Sequence, residues 1–413
     1  MRTVTLGEVM DFQNGRAFKS TEWREVGLPI IRIQNLNNRN SSYNYFDGTF
    51  DERILIVEGD LLFSWSGTVG TSFGPHIWAG PRSLLNQHIF KVGLNPSIEK
   101  KYAFYALLSI TTRIEDNVNG SVGLTHITKA KLINFEIPLP PLNKQQEIVK
   151  ILDSAFSEIE YVGEKLNQSF EKSHELLQSL FNEAFHVPKN VSQSATGTAQ
   201  SEVFEKNHLK LVRLKDLCNT ISGLWTGKKA PFEKAIVIRN TNFTKDCKLD
   251  LSDVAVLDVE SRQLQTRRLL PGDLIVEKSG GGPKQAVGRV VLFDETDGVF
   301  SLSNFTSALR INNPEVVLPQ YLQHFLYFQY ASGVTEAMQS HSTGIRNLNI
   351  HQFLDICVPL PSIEIQKNVI ARLDSAFNEI KLMHRNIDLK REQSYELRQS
   401  ILSSLFSYES KAA

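Results

Sequence analysis

The side chains able to carry reaction chemistry are few and poorly spaced for it. Cys218, Cys247 and Cys357 are isolated and odd in number, with no CxxC or HxxxH spacing nearby. Neither a structural zinc site nor a disulfide framework is expected, and a reducing, cytoplasmic setting is. Ser279-Gly-Gly-Gly-Pro-Lys284 has the glycines of a phosphate cradle. It lacks the spacing and final hydroxyl of GxxxxGK[ST], so nucleotide binding is not implied. Glu99-Lys100-Lys101 carries the ExK ending of a nuclease-like site, but it reads as a polar helix start after Asn95-Pro96. No clustered His, Cys or carboxylate pattern points to catalysis. What remains is recognition chemistry: amide, hydroxyl and basic side chains on segments rich in Gly, Asn and Ser.

Such side chains need bodies to hold them. The chain has 413 residues, more than one core usually spans, so two or three domains are expected. With 41% hydrophobic and 22% charged residues it is a globular chain. Lys+Arg and Asp+Glu are equal at 45 each, which excludes a polybasic protein held to nucleic acid by bulk charge alone. No stretch approaches the roughly 20 apolar residues of a membrane span, and the first residues lack a signal-peptide run.

An internal repeat organises the chain. Pro138-Leu-Pro-Pro-Leu-Asn-Lys-Gln-Gln-Glu-Ile-Val-Lys-Ile-Leu-Asp-Ser-Ala-Phe156 recurs without a gap as Pro359-Leu-Pro-Ser-Ile-Glu-Ile-Gln-Lys-Asn-Val-Ile-Ala-Arg-Leu-Asp-Ser-Ala-Phe377. One constant offset carries Gln145 onto Gln366 and Asp153 onto Asp374. Each copy opens on Pro-Leu-Pro, which ends a strand and blocks helix upstream. A proline-free heptad pattern follows. In the first copy Val149, Phe156, Gly163, Phe170 and Leu177 share one seam position, and Leu152, Ile159, Leu166, Ser173 and Leu180 share its partner. The second copy keeps Ile370, Leu373, Phe377, Ile380, Ile387 and Ile401 but puts His384, Arg391 and Arg398 on the seam. About 40 helical residues reach roughly 60 Å, so each helix needs a partner, and the other copy is the obvious one. The pair reads as a spacer between two bodies; a helix pair inside one large domain is the alternative.

The segments outside the helices repeat too. Val4-Thr-Leu-Gly-Glu-Val9 matches Val212-Arg-Leu-Lys-Asp-Leu217, and Gly59-Asp-Leu-Leu62 matches Gly272-Asp-Leu-Ile275, each followed by Ser-Gly. Gly123-Leu124 aligns with Gly344-Ile345. Framework positions agree while the loops differ, the pattern of one task done twice on two targets. The expected order is a β-rich domain over 1–137, a long helix over 138–186, a flexible Ser/Thr/Gln-rich linker over 187–208, a second domain over 209–358 and a second long helix over 359–407.

On these motifs, above all the two PLP…Q…L-D-x-x-F-x-x-I stretches and the G-D-L…S-G turns, the chain resembles the specificity (S) subunit of type I restriction-modification systems over nearly its whole length. The resemblance implies an α+β fold: two mixed, β-rich target recognition domains separated by two long antiparallel coiled-coil helices, with an internal pseudo-twofold repeat. It implies that each domain reads one half of a bipartite, asymmetric target in double-stranded DNA. The helices would set the spacer and dock two methylation subunits, with restriction/motor subunits joining the full complex. S-adenosylmethionine would belong to the methylation subunits, and this chain would bind no cofactor or metal and catalyse nothing. The residues agree: the [NDS]-P-P-[YF] sequence of an adenine methyltransferase is missing, since Pro140-Pro141 stands between Leu139 and Leu142. A coiled-coil adaptor for proteins, or an enzyme with an unrecognised site, are the other classes open to the sequence.

Base edges in the major groove are read by Arg, Lys, Asn, Gln, Ser or Thr. In the first domain the candidates are Arg32, Gln34, Asn35 and Asn37, Ser66 and Thr68, and Asn86, Gln87 and His88, with Arg16 and Lys19 as a basic cluster. In the second they are Arg239, Asn240 and Asn242, Lys278, Lys284 and Gln285, and Ser342, Thr343 and Arg346, with basic Lys228 and Lys229. Each is equally a turn or cap residue until its surroundings are known. Trp65 and Trp225 are available for stacking or for core anchoring. Leu176, Phe181 and Phe185, with Leu397, Leu402 and Leu405, are the apolar helix positions expected to face a partner.

Overall fold

The computed structural model describes residues 2–38, 40–68, 71–117, 125–185, 210–225, 227, 229–280, 285–342 and 345–406. The expected linker lies outside them. The chain divides into two units, Met1–Ser169 with Asn386–Ala413, and Phe170–Arg385. Each unit joins one β-rich domain to the first part of the long helix that follows it and to the last part of the other long helix. The first unit is therefore discontinuous in sequence, and each long helix is divided between the two units.

In the first unit the strands Met10–Asn14, Ile89–Leu94, Leu61–Ser64 and Gly74–Ile77 form an antiparallel sheet in that order. A second sheet pairs Leu28–Ile31 in parallel with Ser83–Leu85. In the second unit Cys218–Ser222, Thr306–Ile311, Leu274–Glu277 and Val290–Leu292 repeat the first sheet, and Phe232–Ile238 pairs in parallel with Phe300–Leu302. One domain helix packs on each four-stranded sheet, Lys100–Asn117 and Pro319–Ala331. Gly59 and Gly272 take positive φ in the tight turn before the central strand, which explains the repeated G-D-L. The aspartates of that motif close the same turns, Asp60 Oδ2 accepting from the Val57 N–H and Asp273 Oδ2 from the Leu270 N–H.

The long helices run Leu142–Phe185 and Ile363–Phe406, 44 residues each, or about 66 Å at 1.5 Å per residue. Each starts beyond a strand ending in the Pro-Leu-Pro signal, Glu136–Pro138 and Cys357–Leu360. A fully buried glutamine clips each helix start to its domain. Gln145 Nε2 donates to the Ser97 and Pro140 carbonyls at 2.9 and 2.8 Å, and its Oε1 accepts from the Glu99 N–H at 2.8 Å. Gln366 Nε2 donates to Val316 and Pro361 at 2.9 and 3.0 Å, and Oε1 accepts from the Leu318 N–H at 2.9 Å. Both groups of backbone atoms sit where a helix begins, and the Glu99 and Leu318 N–H groups there have no intrahelical acceptor. One turn on, Tyr102 and Tyr321 donate to the carbonyls of Pro138 and Pro359, each at 2.7 Å.

The repeated L-D-x-x-F segment completes the joint. Leu152 with Phe156 in the first unit, and Leu373 with Phe377 in the second, enter or border the domain core. Asp153 accepts from Tyr105 Oη and Lys101 Nζ, at 2.7 and 2.6 Å. Asp374 Oδ1 lies 2.9 Å from His324 Nε2.

Within each unit the two helix segments are antiparallel. In the first, Arg391 donates to Asn167 at 2.7 Å and the Arg398 guanidinium lies 4.6 Å above the Phe156 ring. In the second, Ser173 Oγ lies 2.7 Å from His384 Nε2, and Arg372 grips Glu183 with two 2.8 Å bonds. The polar seam residues of the second copy are thus matched by partners across the seam. Four apolar positions expected to face a partner do not. Phe181 and Phe185 are buried against the domain helix of the second unit, 5.5 Å from Phe328 and Tyr321 respectively. Leu402 is buried in the first unit's core and Leu405 packs against it. The last turns of each helix close the core of the other copy's domain, an arrangement that heptad spacing does not reveal.

His324 makes the second joint sensitive to acid. Burial holds its imidazole below its ordinary value of about 6.5, against the opposing pull of Asp374. Folding favours the neutral ring, so the second unit keeps its stability above about pH 6.5. Stability falls as the pH drops from there toward the lower folded value, because the unfolded chain takes up a proton that the native state refuses. His324→Tyr, which copies the Tyr105–Asp153 bond of the first unit, should flatten this loss in Tm between pH 7.5 and 5.5. Identical profiles for the two proteins would contradict it.

Candidate nucleic-acid interface

The two units carry one backbone frame at the end of the central strand. In the first, the Trp65 N–H donates to the His88 carbonyl and the Trp65 carbonyl accepts from the Ile127 N–H, at 3.2 and 3.0 Å. In the second, Lys278 donates to Phe305 and accepts from Leu348, at 2.9 and 2.7 Å. The next two residues extend the match, Ser66–Gly67 pairing with Thr125–His126 and Ser279–Gly280 with Arg346–Asn347. Asn86 and Ser303 donate to Ile31 and Ile238 in the same manner. Gly67 and Gly280 have positive φ, and a Cβ would lie 2.4 Å from Ser72 Oγ or 2.3 Å from Asn240 Nδ2, so the turn is reserved for glycine.

On this shared frame the side chains differ. The first mouth presents Trp65, Gln87, His88 and His126. The indole lies 5.1 and 6.3 Å from the two imidazoles, its Nε1 donates to the Gln87 carbonyl at 3.1 Å, and the Gln87 amide reaches His88. The equivalent positions in the second mouth are Lys278, Asn304, Phe305 and Asn347. They line an open groove of about 360 Å³ together with Ser279 and Leu348. Partial burial lowers the Lys278 pKa, and Ser279 Oγ is 2.6 Å from Asn347 Oδ1, which leaves the Asn347 amide nitrogen as the donor. Beneath this mouth a buried ion pair replaces Ser64 of the first: Arg289 holds Glu277 with bonds of 2.8 and 2.9 Å.

The structure thus brings together Gln87 and His88, and separately Lys278 with its groove. Thr68, Gln34, Asn37, Lys19, Lys229 and Gln285 are exposed, and Asn86 is half-buried. Asn240 bonds the Ser279 carbonyl at 3.4 Å, and Arg239 pairs with Asp253 at 3.5 Å. Arg16 is ion-paired to Glu22 and lies 4.9 Å from the Phe18 and Phe46 rings. Arg32 stands over Trp23. Lys228, Lys284 and Thr343 lie outside the described residues, as does the side chain of Ser342.

Four candidates are spoken for by the fold. Asn35 and Asn242 are buried, each accepting the N–H three residues back and donating to loop carbonyls, Ser41 and Ser42 or Asp250 and Asp253. Ser66 is buried in its strand, and Arg346 is buried with a 2.7 Å bond to Glu336. An Asn in a loop that must bond its own backbone reads like an Asn that bonds a base. Sequence reasoning missed His126, Asn304, Phe305 and Asn347, which enter the mouths through strand pairing; their only sequence signal is position relative to the repeated Ser-Gly.

A second cavity, about 400 Å³, brings Cys247 near His324 and Asp374 in the second unit. It does not fit a nucleophile: burial pushes the Cys247 thiol up to about 12, so no thiolate forms near neutrality. Among the described residues no group of three or more His, Cys, Asp or Glu could hold a metal ion, and no helix is long and apolar enough to cross a membrane.

Comparison with known proteins agrees with this architecture. The chain is 25% identical to the type I restriction enzyme EcoBI specificity subunit of Escherichia coli, covering 98% of this chain and 85% of that one. It is 23% identical to the MjaVIII specificity subunit of Methanocaldococcus jannaschii, covering 97% and 91%. Its fold matches a chain from a solved type I R-M system complex with a TM-score of 0.72 at 16% identity, covering 98% and 97%. The HsdS subunit of Thermoanaerobacter tengcongensis matches with a TM-score of 0.54, also at 16% identity, covering 98% and 96%. The description "Type I restriction modification DNA specificity domain" matches residues 1–169 and 207–391, so the chain belongs to that family.

Proposed function

We propose that this chain is the DNA-recognition subunit of a type I restriction-modification complex, with each mouth reading one half of a bipartite, asymmetric target. The observation that carries the reading is the repeated hydrogen-bond frame holding unlike side chains. Recognition of two unlike sequences needs constant positioning and variable donors and acceptors. In the second mouth the Lys278 ammonium suits guanine O6 and N7, the Asn304 amide suits adenine N6 and N7, the Asn347 amide nitrogen suits a base acceptor such as a purine N7, and Phe305 suits a thymine methyl group. In the first, the Gln87 amide suits adenine. The long helices would set the distance between half-sites, which recur on one face of DNA at about 34–36 Å or its multiples. Methyl transfer, with S-adenosylmethionine, and cleavage would reside in the methylation and restriction/motor subunits.

Docking of two methylation subunits has its own support. Tyr161 and Leu397 in the first unit, and Leu176 and Leu382 in the second, are all more than half exposed. The repeat carries Tyr161 onto Leu382 and Leu176 onto Leu397. The antiparallel register puts each in-unit pair within about one helical turn. Two equivalent apolar patches fit two copies of one partner. Of the six partner-facing candidates, Leu176 and Leu397 belong to this surface.

Two outcomes check these readings. Lys278→Ala, co-expressed with the methylation subunit, should relax one half-site by about 1–3 kcal/mol, the worth of a bidentate pairing with a base, and Asn347→Ala should relax the same half-site by less. Modification-sensitive sequencing should show the other half-site unchanged; relaxation of both, or of neither, would count against two independent readers. Leu176→Asp with Leu382→Asp should leave one methylation subunit in the purified complex, and adding Tyr161→Asp with Leu397→Asp should leave none. Native mass spectrometry that still finds two would sink the docking assignment.

A further inference from the structure

Each mouth is flanked by an exposed tryptophan beneath an arginine. Trp225, in the second unit, is 70% exposed, yet its backbone is held rigidly. The buried Gln263 side chain bonds it on both sides: Oε1 accepts from the Trp225 N–H at 3.3 Å and Nε2 donates to the Trp225 carbonyl at 3.2 Å. The same Oε1 accepts from Arg267 Nη1 at 3.2 Å, and the Arg267 guanidinium lies 5.7 Å from the indole centre. One buried amide therefore holds both the Trp225 backbone and the Arg267 guanidinium that lies over its ring. No packing reason accounts for it, because the neighbouring Leu224 is the residue that packs on the core cluster.

The platform stands beside the reading groove. At Gly223, two residues before Trp225, a Cβ would fall 1.8 Å from the Ser303 carbonyl oxygen and 2.9 Å from Asn304 Cα. That close approach, possible only for glycine, presses the start of the tryptophan loop against a groove residue. The first unit also sets an arginine over an exposed tryptophan, on a different loop. Trp23 is 38% exposed and Arg32 lies 5.5 Å from its ring centre. Arg32 follows Ile31, whose carbonyl takes the Asn86 N–H at the edge of the first mouth. Among the described residues neither Arg267 nor Arg32 is ion-paired to a carboxylate.

We propose that Trp225 with Arg267, and Trp23 with Arg32, are preorganised platforms that grip the DNA at the border of each half-site without reading its sequence. The indole offers a flat face to a deoxyribose at the groove edge, and the guanidinium offers its charge to the adjacent phosphate. Holding the Trp225 backbone and the Arg267 guanidinium in place before binding lowers the ordering cost that a tryptophan on an unanchored loop would incur. The inference rests on the DNA-recognition reading and assigns it an affinity element distinct from the groove.

The test uses the full chain in complex with its methylation subunit and a fluorescently labelled duplex carrying the methylated motif of the wild-type complex. Trp225→Ala should weaken binding roughly 5-fold or more, the effect of truncating a contributing interface tryptophan, while the methylated motif stays the same. Trp225→Phe, which keeps a flat face, should retain most of the affinity. Unchanged affinity in Trp225→Ala would overturn the proposal, and so would a changed base preference at the second half-site, which would make Trp225 a reader. A loss of subunit assembly with unchanged DNA affinity per complex would make the platform a protein-binding surface and overturn it as well. Failure of the wild-type complex to prefer its motif duplex over a scrambled one would instead strike the DNA-recognition reading itself.

Discussion

A buried amide at the start of each long helix is the constraint on which the rest depends. Gln145 and Gln366 each satisfy two carbonyls of the segments leading into the helices and one N–H at a helix start, where intrahelical acceptors are missing. Leaving such buried groups unmet costs about 1–3 kcal/mol apiece, so the bonds select one orientation of helix against domain. Everything beyond the joint inherits that orientation. The Tyr102 and Tyr321 hydroxyls and the phenylalanine of each L-D-x-x-F segment reinforce it in the same way in both copies, while Asp153 and Asp374 do so through different partners.

Beyond the joint, each domain keeps backbone geometry constant and lets side chains vary. The strand-end frame around Trp65 and Lys278 is fixed by main-chain bonds and by glycines that admit no substitute. A main-chain frame is indifferent to the side chains it carries, so an indole and an ammonium can occupy equivalent places. The support underneath varies too. Ser64 makes a local bond to the Ser66 carbonyl, whereas Glu277 and Arg289 form a buried ion pair that also reaches the Phe243 carbonyl. Such a pair is expensive to desolvate and contributes orientation more than stability. It sits under the mouth that carries a half-buried lysine.

Features set by local spacing were legible in the sequence. The repeat, the two long helices, their partnership and the division into two β-rich domains follow from heptads, prolines and a constant offset, whereas the antiparallel sense of the pair comes from the family resemblance. Features set by distant pairing were not. His126 and Asn347 enter the mouths because their strands pair with Ser66–Gly67 and Ser279–Gly280, and no local signal marks that register. Phe181 and Leu402 look like exposed apolar positions until the domain helices that cover them are in place. Asn35 and Asn242 show the reverse error: side chains equipped to read a base are used up by their own loops.

The central claim is that two unlike mouths on one frame read two unlike half-sites. Modification-sensitive sequencing of DNA from cells expressing this chain with its methylation subunit, against cells lacking only this chain, tests it most directly. The account predicts a methylated motif of two different short sequences at a fixed separation, present only with the chain. A continuous or symmetric motif, or no motif from a folded complex, would contradict it.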